Sequence, residues 1–490
     1  MSQGSGVRGR ERPGRAAAGR GQSGSLSAKP VRFALALAVG KGAGVAARLM
    51  HTGGTSFPGA IARRIDPLVL RRVITASEAS KAVITGSNGK TTTCRMLAAL
   101  AKGVGMSVAQ NRSGSNLLQG VTSVAVREAS MRGLIDARLL LLEVDEATMR
   151  QAALEVSPDI ILITNIFRDQ LDRFGELYAM ARMLEASIEA LPAHASVVLN
   201  GDDALVASLA PQAPARRLYY GLRADSAGAE VPEHAADTIR CVRCQHSLTY
   251  RRVYASHLGD YECRACGLRR PDLDIAVTQV QASPEGGTDV TAETPAGTVR
   301  LHVPLPGVHN VYNAAAALAG AFALGALEPG SAGPALAGLR PAFGRLEEIK
   351  ADGRLVVLSF VKNPASYNAT LRMILQCPGR KNLLAAHSNT VVDGEDFGWL
   401  WDVDLEQVVP ALGTLVISGT RAEEVALRMK YAGVSDANML VEPGRDAALD
   451  AALARTPPGE RLYILAGYTP MREFRRIMHR RGWVQPFWEE

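Results

Sequence analysis

Aromatic residues are scarce in this chain, since Phe, Trp and Tyr make up only 5% of its 490 residues. A surface that stacks single-stranded nucleic acid needs several such rings, so the composition argues against that class of protein. Acidic residues are scarce at the amino terminus, where Glu11 is the only one within residues 1–30 and Gly, Ser and Arg dominate. This composition predicts a disordered basic tail, and the tail lacks the apolar core of a secretory signal.

Long apolar runs without charge are also missing. The best candidate, residues 31–50, is interrupted by Arg32, Lys41 and Arg48 and contains three glycines. A bilayer-spanning helix needs about 20 predominantly apolar residues, so this segment is too polar to span. We predict instead an amphipathic helix that packs on the following domain or lies near a membrane surface, and we expect a soluble chain.

One short segment has the composition of a phosphate-binding loop. The apolar run Ala82-Val83-Ile84 predicts a buried strand, which is followed by Thr85-Gly86-Ser87-Asn88-Gly89-Lys90-Thr91-Thr92-Thr93 and an apolar-periodic helix. Glycines let backbone N–H groups approach an anion, a helix N-terminus attracts it, and lysine supplies a mobile charge. A threonine directly after the lysine is the usual Mg²⁺ ligand. Ile84 stands where GxxxxGK[ST] has its first Gly, yet a plain strand-to-helix turn would leave Lys90 and the threonines unexplained.

Short apolar strands alternate with helical segments after residue 80. The first ones are predicted at residues 139–142, 159–163 and 196–199, and each ends in polar residues. This alternation predicts an α/β fold with a parallel sheet covered on both faces, whose ligands bind beyond the carboxyl ends of the strands. A second α/β series begins near Gly353, so we place the main domain boundary close to Arg345.

Four of the six cysteines form the pattern Cys241-x2-Cys244-x18-Cys263-x2-Cys266. Two CxxC pairs at this spacing predict a structural Cys₄ zinc site in a ribbon over residues 236–272. Two disulfides are the alternative, which the lack of a secretion signal disfavours. Zinc ribbons often bind nucleic acid, but we interpret the neighbouring arginines as a solvated face; these are Arg251, Arg252, Arg269 and Arg270.

The end of the chain carries a second arginine-rich segment, containing Arg472, Arg475, Arg476, Arg480 and Arg481. Their spacing fits a solvated helix face. Acidic lipid headgroups or a partner protein are the alternative contacts for this face.

These motifs together resemble the Mur ligase family, and within it the branch that amidates a peptidoglycan precursor, from about Val31 to the C-terminus. The matching motifs are Thr85–Thr92, Asn111-Arg112-Ser113-Gly114-Ser115-Asn116, Glu143-Val144-Asp145-Glu146, residues 164–175, the Cys₄ ribbon, residues 307–314, Phe343-Gly344-Arg345, Lys362-Asn363-Pro364 and residues 393–402. The resemblance implies a P-loop ATPase domain of Mur-ligase type over residues 31–345 with the zinc ribbon inserted in it. A Rossmann-like α/β domain over residues 346–490 follows.

The resemblance also assigns roles to individual residues. Lys90 is expected to hold the β/γ-phosphates of ATP, with Gly86, Asn88, Gly89 and Thr92 in the same loop. Thr91 and Glu143 are expected to hold Mg²⁺. Asn310 and Asn313 are expected on the adenine side of the nucleotide, and Arg345 reaches it from the domain hinge.

The implied reaction is ATP-dependent amidation of the D-glutamate α-carboxylate in the stem peptide of lipid II, through an acyl phosphate. Ammonia would come from a separate GatD-like glutaminase subunit, and no nucleic acid is expected as a partner. The expected location is cytoplasmic, peripheral to the inner face of the plasma membrane. Gln170 stands where amino-acid-adding Mur ligases carry a His, and residues 171–200 contain no lysine to be carbamoylated.

One position departs from the family pattern. Where the branch has an Asp that orients the glutaminase histidine, this chain has Asn389, with Asp393 four residues later. An amide accepts a hydrogen bond from an imidazole but does not stabilise an imidazolium electrostatically. Either Asp393 takes the role, or coupling to the glutaminase is weak, or the chain is a paralogue using free ammonia. A Mur-like or folylpolyglutamate-like ligase that adds an amino acid is the further alternative.

Overall fold

The computed structural model describes residues 30–49, 56–111, 115–168, 177–225, 228–229, 236–283, 286–340, 344–390 and 392–485. The predicted disordered tail up to residue 29 lies outside these residues. Parts of the family motifs also lie outside them, namely residues 112–114, residues 169–175 with Gln170, and Phe343.

The first part of the chain builds a nine-stranded sheet. Its first strands are β1 (Ser80–Thr85), β2 (Val108–Gln110), β3 (Leu139–Glu143), β4 (Ile160–Ile163), β5 (Ser196–Asn200) and β6 (Arg216–Leu222). A separate hairpin follows, made of β7 (Thr249–Ala255) and β8 (Leu258–Glu262). The chain then returns to the sheet with β9 (Ile275–Ala282), β10 (Thr288–Thr294) and β11 (Gly297–Val303).

The strand order is β11-β10-β9-β6-β5-β4-β1-β3-β2, and every pair from β9 to β2 is parallel. Because side chains alternate along a strand, Val83 and Leu140 enter one core whereas Ile84 and Leu141 enter the other. The predicted parallel sheet with two covered faces is therefore confirmed. The strands after the hairpin belong to the same sheet, since β9 pairs with β6 in parallel and β10 and β11 extend the sheet antiparallel.

Ten helices described in this part surround the sheet. They are α1 (Pro30–Leu49), α2 (Phe57–Ile65), α3 (Val69–Ala76), α4 (Lys90–Gly103), α5 (Leu118–Glu128), α6 (Met149–Val156), α7 (Leu177–Glu189), α8 (Ala204–Ala207), α9 (Val308–Ala323) and α10 (Pro329–Ala337). The predicted helix is confirmed as α1, which packs on the following domain and buries Ala36 and Leu37 in the same core as α2 and α5. The prediction that it is amphipathic is wrong, because its exposed side is apolar too, with Val31 77% and Leu35 51% exposed. None of the helices in the described residues is both long and apolar enough to cross a bilayer.

The second part builds a six-stranded sheet in the order β12-β13-β17-β14-β15-β16. Its strands are β12 (Arg345–Ala351), β13 (Arg354–Phe360), β14 (Lys381–Ala386), β15 (Leu412–Ser418), β16 (Met439–Val441) and β17 (Arg461–Ala466). All pairs are parallel except β12 with β13. The helices are α11 (Pro364–Gln376), α12 (Ala422–Tyr431), α13 (Arg445–Arg455) and α14 (Tyr468–Arg480).

Two predicted solvated arginine faces are wrong in part. Arg270, just after the ribbon hairpin, is only partly exposed, and its guanidinium donates to the carboxylate of Asp202 at 3.0 Å. Burial raises the pKa of Asp202 to about 6, although the Arg270 charge opposes this rise. Arg475 on α14 is 3% exposed and pairs with Glu347 of β12 at 2.8 Å. In the first pair the buried Asp202 carboxylate needs a counter-charge, and in the second the buried Arg475 guanidinium does.

Candidate functional site

The predicted phosphate loop lies between the end of β1 and the start of α4. Gly86 and Gly89 have φ angles of +123° and +88°, which favour glycine. A Cβ at Gly86 would lie 2.3 Å from the Thr164 hydroxyl, and one at Gly89 would lie 2.1 Å from Oδ1 of Asn313. The two glycines are therefore required by both conformation and space, and they let other elements approach the loop backbone closely.

Lys90 is the first residue of α4, and its ammonium group is buried at the carboxyl end of the sheet. Its Nζ donates to Oε1 of Glu146 at 2.8 Å and to the carbonyl of Gly86 at 2.6 Å. Desolvation lowers the pKa of Lys90, but the nearby carboxylates outweigh it and the pKa is raised overall. The lysine is thus held charged within the loop.

Thr91 and Glu143 meet beside this ion pair. The Thr91 hydroxyl donates to Oε2 of Glu143 at 2.8 Å, and Asn111 bonds both the backbone N–H and the carbonyl of Glu143. Burial raises the pKa of Glu143, while the charges of Lys90 and Arg345 oppose that rise. Thr92 lies half-buried in the first turn of α4. A hydroxyl and a carboxylate in contact next to a lysine are hard oxygen ligands suited to Mg²⁺.

The predicted adenine-side residues lie at the start of α9. Asn313 donates to Oδ1 of Asn310 at 3.1 Å, and its own Oδ1 lies 3.3 Å from the Thr93 hydroxyl of α4. Their neighbour His309 has its pKa lowered to about 4 by desolvation and by the positive charges of Arg345 and Arg372. The structure therefore brings these asparagines to the phosphate loop with a neutral imidazole beside them.

Residues from the second part of the chain reach the same loop. Arg345 stacks over Phe360, with 5.0 Å from its guanidinium carbon to the ring centroid, and its charge opposes the burial-driven rise in the pKa of Glu143. Nδ2 of Asn363 lies 3.5 Å from Oδ1 of Asn88. The charge of Lys362 helps to lower the pKa of Glu146. The site is thus built from both sheets.

Comparison with known proteins identifies the family. Two family models match the chain, the Mur ligase middle domain over residues 84–321 and the MurT ligase C-terminal region over residues 360–471. A relative from Streptococcus pneumoniae (strain ATCC BAA-255 / R6) is named lipid II isoglutaminyl synthase (glutamine-hydrolyzing) subunit MurT. It is 30% identical over 434 residues, which are 88% of this chain and 94% of the relative. The chain belongs to the MurT family.

A second MurT relative and one solved structure extend this comparison. The MurT subunit from Staphylococcus aureus (strain N315) is 29% identical over 392 residues, 79% of this chain and 85% of that protein. A pseudomurein peptide ligase type C from Methanothermus fervidus matches with a TM-score of 0.65 at 21% identity, covering 82% of this chain and 79% of that one. The MurT-family chain therefore has a Mur-ligase-type α/β fold.

The four ribbon cysteines of this MurT-family chain form one cluster. Their Sγ atoms lie within 4.8 Å of one another, and the closest pairs, Cys241 with Cys266 and Cys244 with Cys263, are 3.4 Å apart. Cys241 and Cys263 are buried in a small core with Leu248. Four thiols converging on one point from two turns match the donor set of a structural zinc site.

Asn389 and Asp393 lie after β14, apart from the phosphate loop. Asn389 is exposed, and its Oδ1 accepts from the Thr420 hydroxyl at 2.9 Å. The Asp393 carboxylate accepts from the hydroxyls of Ser388 and Thr390 and from the backbone N–H of Thr469. Asp393 therefore has three donors from its own chain, whereas Asn389 is the more accessible of the two.

The main residue that sequence reasoning missed as a site residue is Glu146. It is 3% exposed and pairs with Lys90, and Lys90 and Lys362 lower its pKa against the effect of burial. A signal was present, because Glu146 follows β3 within the same acidic motif as Glu143 and so stands at a strand's carboxyl end. Asn165 was missed as well: its Oδ1 accepts from the Asn88 N–H at 2.9 Å and fixes the loop.

Proposed function

We propose that this chain is the synthetase subunit of a lipid II isoglutaminyl synthase. It uses ATP to activate the D-glutamate α-carboxylate of the lipid II stem peptide, and ammonia then converts that carboxylate to D-isoglutamine. The observation that carries the proposal is the match to a MurT subunit over 88% of the chain. That match spans the phosphate loop, the ribbon and the C-terminal sheet together.

The activation step suits the charged groups around the phosphate loop. Lys90 would hold the β/γ-phosphates, in the loop formed by Gly86, Asn88 and Gly89. Thr91 and Glu143 would hold Mg²⁺, which neutralises charge on the transferring phosphoryl group when bound. A substrate carboxylate oxygen attacks the γ-phosphorus, and ADP leaves.

The second step forms the amide. Ammonia attacks the acyl carbon with its lone pair, phosphate leaves with the former carboxylate oxygen, and nitrogen loses a proton. Asn310 and Asn313 would contact the adenine side, and Arg345 would reach the nucleotide from β12. The Arg345 charge that already acts on Glu143 supports this placement.

We propose that the ammonia comes from a separate GatD-like glutaminase subunit that docks near Asn389. The exposure of Asn389 after β14 supports this docking position. The activity test supplies ATP, Mg²⁺ and lipid II in detergent, with glutamine plus the glutaminase or with ammonium alone. An amide product from both nitrogen sources is expected, detected by mass spectrometry of the stem peptide. No product from either source would overturn the proposal.

We propose that the chain works at the anionic inner face of the plasma membrane, through the outer surface of α1 and α2. Val31, Leu35, Val39 and Val45 are exposed along α1, and Phe57 at the start of α2, the helix that packs against α1, is 54% exposed. Residues 30–65 contain five Lys or Arg and no Asp or Glu. Apolar side chains with surrounding positive charge favour binding to anionic lipid over a neutral protein surface.

Leu35→Glu is expected to lower amidation of lipid II embedded in anionic vesicles several-fold and to leave amidation in detergent unchanged. The reason is that a carboxylate on this surface opposes insertion and is repelled by anionic lipid. Leu154→Glu, at a similarly exposed leucine of α6, is the matched control. Equal activity of both variants on vesicles would contradict a membrane role for this surface.

We propose that Cys241, Cys244, Cys263 and Cys266 hold one structural Zn²⁺. Cys241→Ser is expected to remove the zinc, measured by elemental analysis, and to lower Tm, because ligation energy is folding energy in such a site. Cys377→Ser, outside the cluster, is the control and should keep both zinc content and Tm. Metal-free wild-type protein with an unchanged Tm would refute the zinc site.

A further inference from the structure

The turn of the ribbon hairpin is buried in the molecule instead of lying at its surface. Ser256 and His257 connect β7 to β8, and they are 3% and 0% exposed. Connecting segments normally run over the surface, because their backbone polar groups are easily satisfied there. The centroid of the His257 ring lies 4.8 Å from that of Phe167, and its Nε2 lies 3.5 Å from Oδ2 of Asp203. The hairpin therefore inserts its turn at the carboxyl ends of β4 and β5.

Phe167 carries this contact on to the phosphate loop. Its backbone N–H donates to the hydroxyl oxygen of Ser87 at 2.9 Å, and the same hydroxyl donates to the Phe167 carbonyl at 3.0 Å. The preceding backbone N–H, that of Ile166, donates to Oδ2 of Asp203 at 3.0 Å. Residues 166–167 are thus fixed by the hairpin turn on one side and by the phosphate loop on the other.

A second contact runs from the ribbon to the helix that carries the proposed adenine-side residues. Asp202 is 0% exposed; its Oδ1 accepts from the Arg270 guanidinium at 3.0 Å, and its Oδ2 accepts from the Tyr312 hydroxyl at 2.7 Å. The backbone of Asp202 is held as well, because its carbonyl accepts from the N–H of Gly259 in β8 at 2.9 Å. Tyr312 belongs to α9 and directly precedes Asn313. The carboxylate of Asp202 thus ties α9 to the ribbon.

The charge on Asp202 makes this second contact strong. Burial raises its pKa to about 6, while the Arg270 charge and the hydrogen bonds from Leu222 and Tyr312 oppose the rise. Asp202 is therefore an anion at neutral pH, and hydrogen bonds to an ionised acceptor are about twice as strong as those between neutral groups. Loss of either side-chain donor leaves a buried charge with too few partners, so α9 and the ribbon are held firmly together.

We propose that the ribbon hairpin is a positioning element of the nucleotide site, in which His257 sets the phosphate loop and Arg270 sets α9 through Asp202. The inference rests on the proposed binding of ATP. The two routes start from one hairpin and end at Ser87 and beside Asn313, on the proposed phosphate and adenine sides. The hairpin in this way fixes the separation of the phosphate loop from α9. A site that is held in its binding geometry loses less conformational freedom when the ligand binds, which raises affinity.

The test uses the full chain and measures the Kd of a non-hydrolysable ATP analogue with Mg²⁺ by calorimetry. Tyr312→Phe removes only the hydroxyl that meets Asp202, and we expect it to raise this Kd about tenfold, a factor typical of coupling between separate sites. KM for ATP should rise equally, while kcat at saturating ATP stays near the wild-type value. Tyr463→Phe, at a buried tyrosine of β17 whose hydroxyl bonds with Arg461, is the matched control and should not change the Kd.

Charge and packing are tested by variants on the ribbon side. Arg270→Met is expected to weaken binding of the analogue about tenfold, and Arg270→Lys, which keeps the charge beside Asp202, should restore most of the affinity. His257→Ala opens space beside Phe167 and should also raise the Kd. His246→Ala, at an exposed histidine of the same ribbon, should leave it unchanged.

A lower Tm with an unchanged Kd in folded Tyr312→Phe and Arg270→Met would mean that the ribbon supports only the fold, and it would overturn the inference. If His257→Ala does not fold, the comparison of Arg270→Met with Arg270→Lys gives the decision. Wild-type protein that binds no ATP analogue instead contradicts the proposed function.

Discussion

Lys90→Ala is expected to lower ATP turnover by a factor of about 10² to 10³. Losses of this size follow the removal of one preorganised group that donates a hydrogen bond to the transition state. The structure adds a second effect, because the substitution leaves Glu146 buried without its 2.8 Å partner. Breaking a buried pair from one side costs about 3 kcal/mol or more of the free energy of unfolding. ATPase assays and thermal denaturation measure the two effects separately.

The control variants separate catalysis from folding. Lys90→Ala combined with Glu146→Gln removes the unpaired carboxylate, so it should regain stability while turnover stays low. Lys102→Ala, at an exposed lysine in the last turn of the same helix, should keep both wild-type ATP turnover and wild-type thermal stability. Full ATPase activity in a folded Lys90→Ala protein would contradict the nucleotide site.

Asn389→Asp is expected to raise glutamine hydrolysis by the assembled complex and to leave ammonium-driven amidation nearly unchanged. A carboxylate there would stabilise the partner's imidazolium, which an amide does not. The corresponding carboxylate contributes about 10⁴ in kcat in a serine protease, which sets the upper limit of the gain. Glutamate release, followed with and without lipid II, is the measurement.

Asp393→Asn distinguishes between positions 389 and 393 as the one that contacts the partner's histidine. Asp393 already accepts from Ser388, Thr390 and Thr469 of its own chain, so we expect its loss to loosen the start of α14. If glutaminase activity is unchanged in Asn389→Asp but lost in Asp393→Asn, then Asp393 is the residue that orients the partner's histidine. Indifference to both, with ammonium-driven activity intact, would mean that the chain works with free ammonia.

Features that depend on local sequence could be predicted from it. The spacing of the cysteines predicted a cluster that the structure brings within 4.8 Å, and β3 and β5 begin at the predicted residues, Leu139 and Ser196. A continuous apolar run has one favourable environment, between two layers of helices, so its bounds are visible in the sequence.

Long-range ion pairs could not be predicted in this way. Arg270 meets Asp202 across 68 residues, and Arg475 meets Glu347 across 128 residues, because the fold places two distant elements in contact. In sequence, each arginine belongs to a basic run that is typical of a solvated surface. The pairing of Lys90 with Glu146 was missed for the same reason, although both residues belong to recognised motifs.

The cap of α11 has a consequence for communication between the nucleotide site and the second sheet. Asn363 closes the first turn with Ser366 and faces Asn88 of the phosphate loop, and Tyr367 of the same helix stacks on His387. One helix thus contacts the phosphate loop at its first turn and the buried His387 beyond β14 at the next residue along. Thermodynamic linkage makes such a connection reciprocal: a change at the His387 end that alters ATP affinity is itself altered by ATP by the same factor. This helix is therefore the element through which nucleotide binding would be communicated to the carboxyl end of the second sheet.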